Sequence, residues 1–178
     1  MITVDGFFAG PNGEINWHRV DAEFNKFAIA ALDAASTLFF GRVTYELMAS
    51  YWPTPDAIKD DGEVAERMNR LQKIVFSKEQ ESLAWNNSRI VTNIVREEII
   101  KLKESPGKDI LIFGSGTIVS ALTDMGLVDE YRFFVNPVVL GKGKTLFANT
   151  KGNVNLKFVS TQAFSNGNVL LVYHPAGK

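Results

Sequence analysis

Cysteine is missing from all 178 residues, which excludes disulfides, thiolate metal sites and a cysteine nucleophile. Histidine occurs only at His18 and His174, with no His-Glu-x-x-His helix, so a dedicated transition-metal site is not expected. The same scarcity leaves a serine triad without an evident base. Neither sign of charge is in excess: 19 Lys and Arg stand against 20 Asp and Glu, a formal net charge of -1. Nothing global then attracts nucleic acid or an anionic membrane surface, and any anion must be held locally. Long apolar runs are also lacking. The most apolar stretch, Phe27 to Phe40, is broken by Asp33 and Ser36, and no charged-then-apolar leader opens the chain. These absences read as a soluble cytoplasmic protein with neither a membrane nor a nucleic-acid partner.

What is present is a 46% apolar composition on a length suited to one well-buried domain spanning residues 1–178. Along it, Phe24, Phe27, Ala28, Ala31 and Ala35 recur at helical spacing behind Asp21, a natural N-cap. Short apolar strands then alternate with helical patterns as far as Gly126. Beyond it Tyr131 to Leu140 reads as one long strand, Val154 to Phe158 alternates, and Asn166-Gly167 marks a hairpin before Val169 to Tyr173. The expected fold is α/β, a doubly wound mixed sheet with helices on both faces and an antiparallel C-terminal hairpin.

Three of the strands run directly into turns suited to phosphate. Leu38-Phe39-Phe40 leads to Gly41-Arg42-Val43-Thr44, Lys73-Ile74-Val75-Phe76 to Ser77-Lys78, and Ile110-Leu111-Ile112-Phe113 to Gly114-Ser115-Gly116-Thr117. A helix opening on Gly-Ser-Gly offers partnerless backbone N–H groups and lets a pyrophosphate approach closely. Arg42 and Thr44 add a guanidinium and a hydroxyl, and Ser77-Lys78 adds the hydroxyl and point charge needed for a ribose 2'-phosphate. Each turn alone is common; three at successive strand ends point to a nucleotide cofactor. The Rossmann fingerprint is absent, since no glycine follows Gly116 until Gly126. Gly143-Lys144-Thr145 resembles a P-loop tail, but Val138 stands where the first glycine is required. Trp17, Tyr51 and Trp52 could wall a flat heterocycle, or could simply belong to the core.

With these residues placed, the chain resembles the dihydrofolate reductase-like superfamily, and more closely the RibD C-terminal domain and its stand-alone bacterial relatives. The resemblance rests on Val4-Asp5-Gly6-Phe7-Phe8-Ala9-Gly10-Pro11-Asn12-Gly13-Glu14-Ile15-Asn16-Trp17 and on Gly41-Arg42-Val43-Thr44-Tyr45-Glu46. It rests also on Ile112-Phe113-Gly114-Ser115-Gly116-Thr117 and on Val128-Asp129-Glu130-Tyr131 leading to Pro137-Val138-Val139-Leu140-Gly141-Lys142-Gly143-Lys144. It implies an NADPH-dependent reductase, with Arg42 and Thr44 on the cofactor phosphates, Ser77 and Lys78 on the 2'-phosphate, and Gly114, Ser115, Gly116, Thr117 and Ile118 on the pyrophosphate. Residues 10–17 would be a flap over the nicotinamide. The proton donor implied by register after the flap tryptophan is Asp21 or Glu23. Asp5 is the family's strand-end acid. Asp21 equally suits an N-cap, Glu23 a helix's first turn, and Asp5 an Asp-Gly turn.

Two departures accompany the likeness. The first strand has few residues before Asp5, which fits either a start upstream of Met1 or a shortened strand. The acidic-Pro-x-Leu-x-x-Arg segment of the riboflavin reductases is replaced by Tyr45 to Pro53, which leaves the substrate open among pterin-like, aminopyrimidine and related heterocycles. A homodimer is expected. The competing reading is a nucleotide-binding or oligomeric interaction module of the same fold without turnover.

Overall fold

The computed structural model describes residues 1–79 and 82–177. The chain forms two compact units, one contiguous (residues 25–118) and one made of residues 1–24 and 119–178.

The contiguous unit carries a parallel four-stranded sheet ordered β5-β4-β3-β6, with β3 at Ala35–Gly41, β4 at Gln72–Phe76, β5 at Ser88–Val91 and β6 at Asp109–Ile112. The two central strands, β3 and β4, carry apolar runs covered on both faces: Leu38, Phe39, Phe40 and Val75 are at most 1% exposed. Full burial of each such side chain contributes about 1.5–3 kcal/mol. Tyr45 of α2 (Arg42–Ala49), Val64 and Met68 of α3 (Pro55–Arg70), and Leu32 of α1 (Ala22–Asp33) complete this core with Trp85. Helix α3 starts where Thr54 accepts the Ala57 N–H at 3.3 Å and Pro55 sets the first turn. It is held to the end of α1 by the fork of Arg67 on Asp33, at 2.8 and 2.9 Å. That guanidinium holds the Asp33 carboxyl below its usual pKa range. Helix α4 spans Arg96–Glu104, and α5, Gly116–Asp124, runs across the boundary between the units.

The second unit carries a mixed sheet ordered β1-β7-β10-β9. Strand β1 is Ile2–Thr3, β7 Tyr131–Asn136, β9 Leu156–Ala163 and β10 Val169–Pro175. Phe134 of β7 meets Phe24 edge-on and Phe164 at a tilt, with ring centroids 5.1 and 5.3 Å apart. The strand expected over 131–140 stops at Asn136, because Pro137 has no N–H to continue the ladder. It is also an interior strand, flanked by β1 and β10. The 164–168 hairpin forms as expected, with Gly167 at φ +89° and its N–H donating to the Phe164 carbonyl.

A small two-stranded sheet pairs β2 (Phe7–Ala9) with β8 (Lys144–Thr145), an association no periodicity announces. Gly143 permits it, since a Cβ there would lie 2.5 Å from the Ala9 carbonyl oxygen. Thr145 is therefore in a strand, and the P-loop likeness ends there. Parallel and antiparallel pairing coexist as expected, but among the described residues the hydrogen bonds divide into three sheets, with β6 pairing only with β3 and β1 only with β7. Among the described residues no helix is long and apolar enough to cross a membrane.

Candidate cofactor site at the parallel sheet edge

Because β3, β4 and β6 are parallel neighbours with β3 in the middle, their C-terminal ends emerge along one sheet edge. That is where open α/β sheets place their ligands. Pairing of Gly41 with Phe76 and of Phe39 with Ile112 sets the turn at Arg42 between those at Ser77 and Gly114.

The first and third turns are joined directly. The Gly41 N–H donates to the Ser115 hydroxyl oxygen at 2.8 Å, and that hydroxyl donates to the Phe113 carbonyl at 3.2 Å. This needs a left-handed backbone at Gly114 (φ +54°) and Ser115 (φ +56°), rare for serine and repaid here by its two hydrogen bonds. The turns also pack closely. A Cβ on Gly114 would sit 3.6 Å from the Thr44 hydroxyl oxygen, and one on Gly41 3.6 Å from the Ser115 side chain.

Ser115 and Ile118 are buried, whereas Gly114 and Thr117 are exposed and Gly116 is half-buried. The Ile118 N–H donates to the Ser115 carbonyl at 2.8 Å, so the backbone donors toward an anion at the start of α5 narrow to Ser115, Gly116 and Thr117. Thr44 is half-buried in the first turn of α2, whose N-cap Gly41 makes no side-chain cap.

On the other flank Ser77 is tied to β5 through its N–H on the Val91 carbonyl at 3.1 Å, and Lys78 is exposed. The Ser77 hydroxyl accepts the Glu79 N–H at 3.2 Å. Arg42 reaches across to this turn: its guanidinium bonds Glu46 at 3.1 and 3.2 Å, and its Nε lies 3.7 Å from the Glu79 carboxylate. Neither acid stood among the site residues expected from sequence. Glu46 was open to detection, as it follows Arg42 by one helical turn, but the reach of Glu79 depends on the β3–β4 pairing.

The donor chemistry fits a nucleotide carrying a pyrophosphate and one further phosphate. Two helix N-termini with glycines suit the pyrophosphate, and Arg42, Ser77 and Lys78 suit a further phosphate on the ribose.

The expected proton-donor candidates lie in the other unit, and each is engaged. Asp5 accepts the Thr3 hydroxyl at 2.6 Å and the N–H groups of Leu140 and Gly141 at 3.1 and 2.7 Å. The Thr3 hydroxyl, and less strongly the two amides, hold its carboxyl below the usual range. Asp21 caps α1 by accepting the Phe24 N–H at 2.8 Å. Glu23 accepts both the N–H and the hydroxyl of Ser165, at 2.9 and 2.8 Å.

Of the aromatics, Trp17 donates to the Glu14 carbonyl at 3.2 Å and lies edge-on to His18. Tyr51 is 37% exposed and meets Trp52 edge-on at 5.1 Å. Trp52 packs against the core of the contiguous unit, its indole N–H on the Met48 sulfur.

Comparison with known proteins agrees with this architecture. YyaP, an uncharacterised protein of Bacillus subtilis (strain 168), is 37% identical over 175 residues, which is 97% of this chain and 90% of YyaP. A crystal structure of a candidate riboflavin biosynthesis protein from Shewanella sp. PV-4 matches with a TM-score of 0.75 at 19% identity, covering 98% of this chain and 94% of that one. Dihydrofolate reductase from Enterococcus faecalis, complexed with NADP(H), matches with a TM-score of 0.63 at 17% identity, covering 98% and 92%. The RibD C-terminal domain family matches residues 1–170, nearly the whole chain, and this protein belongs to that family.

Proposed function

We propose that this chain is an NADPH-dependent reductase delivering hydride to a pterin-like, aminopyrimidine or related heterocyclic substrate. The observation that carries the reading is the gathering of three phosphate-suited turns at one edge of a parallel sheet, two of them joined through the Ser115 hydroxyl and the Gly41 amide. Membership of the RibD C-terminal domain family and the likeness to a dihydrofolate reductase crystallised with NADP(H) support it. When bound, the nicotinamide would supply the hydride.

In this reading Ser115, Gly116 and Thr117 hold the pyrophosphate through their amides and Thr44 adds a hydroxyl, while Arg42, expected from the sequence on the cofactor phosphates beside Thr44, is reassigned to join Ser77 and Lys78 on the 2'-phosphate because its guanidinium reaches the turn at Glu79. The reduced substrate needs a matching proton. Asp5 is a poor donor, because its hydrogen bonds stabilise the carboxylate; Asp21, Glu23 or water takes that role. A homodimer is proposed on the family resemblance alone.

One observation favours a second reading, a nucleotide-binding module without turnover: Asp5, Asp21 and Glu23 all spend oxygens on main-chain amides. Titration with NADPH and NADH followed by tryptophan fluorescence tests the cofactor, and NADPH oxidation with reducible heterocycles tests turnover. Binding with turnover supports the reductase. Binding with no turnover on any substrate supports the module, and no binding defeats both.

A further inference from the structure

Resting on the cofactor reading above, we propose that Glu79 sets the cofactor preference of this protein by competing with the ribose 2'-phosphate for the Arg42 guanidinium. The 2'-phosphate turn is not a simple cationic cup. Arg42 and Lys78 bring two positive charges, and the carboxylates of Glu46 and Glu79 bring two negative ones to the same guanidinium.

The two carboxylates are held differently. Glu46 is one helical turn after Arg42 on α2, with both its oxygens within 3.2 Å of Nη1, so it orients the guanidinium. Glu79 meets Nε at 3.7 Å from a side chain 81% exposed, a loose contact whose carboxylate can swing into water at little cost. Its main chain, in contrast, is fixed by its N–H on the Ser77 hydroxyl. Glu79 therefore stays beside the phosphate position whether or not its carboxylate touches Arg42.

A 2'-phosphate entering this turn must displace the Glu79 carboxylate from Nε and then bear its negative charge nearby. A ribose 2'-hydroxyl meets neither cost and can donate to that carboxylate. Discrimination between NADPH and NADH is accordingly weaker than Arg42, Ser77 and Lys78 alone would give, and Glu79 is the residue that weakens it.

The test is direct binding of NADPH, NADH and adenosine 2',5'-bisphosphate to the full chain, to Glu79→Gln, to Arg42→Ala and to the double variant. Glu97→Gln, which removes the same charge from α4, serves as the control. The expected result is a gain of about 2- to 5-fold in affinity for NADPH and the bisphosphate in Glu79→Gln, the size an exposed ion pair supports, with NADH unchanged or weaker. That gain should vanish in the Arg42→Ala background and be absent in Glu97→Gln. Equal effects on NADPH and NADH, or a gain that survives Arg42→Ala, would overturn the proposal while leaving the cofactor reading intact. Failure of every variant to bind either dinucleotide would remove the cofactor reading, and this proposal with it.

Discussion

The Lys73 ammonium lies 4.3 Å from the centre of the Trp85 ring and donates to the carbonyls of Asn69, Leu71 and Asn86, at 2.8–3.1 Å. It is fully buried in β4. Three segments, the end of α3, the start of β4 and the chain at 85–87, thus share one cation. The Trp85 N–H on the Tyr45 hydroxyl adds α2 to the same knot.

Lys73→Met keeps the volume and removes the donor, which leaves three carbonyls short of a partner. The expected loss is about 1–3 kcal/mol in urea unfolding. A variant as stable as the parent would show instead that the buried charge is a burden the fold merely tolerates, since desolvation already pushes the Lys73 pKa down to about 8.

Ser115→Ala removes the acceptor of the Gly41 amide while leaving a left-handed backbone that alanine resists. Loss of about 1–3 kcal/mol is expected, with NADPH affinity falling in parallel. Ser115→Gly relieves the backbone but not the missing hydrogen bond, so it should be the more stable of the two and still bind weakly. Unchanged binding in both variants would separate the hydroxyl from the cofactor site.

Acid should destabilise the protein partly through His18, whose pKa burial pushes down to about 4. Below about pH 6.5 the unfolded chain takes up a proton that the native histidine refuses until about pH 4. Stability from this group is therefore complete above pH 6.5 and declines toward pH 4, by no more than about 3 kcal/mol. His18→Gln should flatten that part of the pH–stability curve. Parallel curves for the two proteins would mean His18 is freely hydrated.

Reversing the charge in the Ser77-Lys78 turn should reverse cofactor choice. Lys78→Glu is expected to weaken NADPH binding about tenfold and to spare NADH. If the preference survives, the 2'-phosphate does not sit at this turn.

Much of this was legible in the sequence, and the reasons are local. Gly41, Ser77 and Gly114 follow short apolar runs, and a strand end followed by glycine or serine is a nearest-neighbour signal. Asp21 was readable as an N-cap for the same reason. What escaped depends on distant chain: Val138, Val139 and Leu140 continue the apolar pattern of β7, yet Pro137 ends the ladder and Val139 is 69% exposed. Val154 alternates correctly with Leu156 but stays outside β9. Strands β2 and β8 are too short to show a period, and Lys73 sits in an apolar run whose only hint of a buried cation is the later Trp85. The contact between Arg42 and Glu79 exists only once β3 and β4 have paired in register.

The two units also differ in how the chain supplies them. Residues 25–118 are continuous, so every turn proposed to hold phosphate belongs to a segment that leaves the ribosome in one piece. The other unit joins both ends of the chain: Ile2 pairs with Val135, and β7 in turn needs β10. During synthesis the segment with the proposed phosphate turns can therefore form early, while Ile2 and Thr3 wait for more than a hundred residues before gaining a partner strand, a long closure that delays β1 relative to the locally paired β7, β9 and β10.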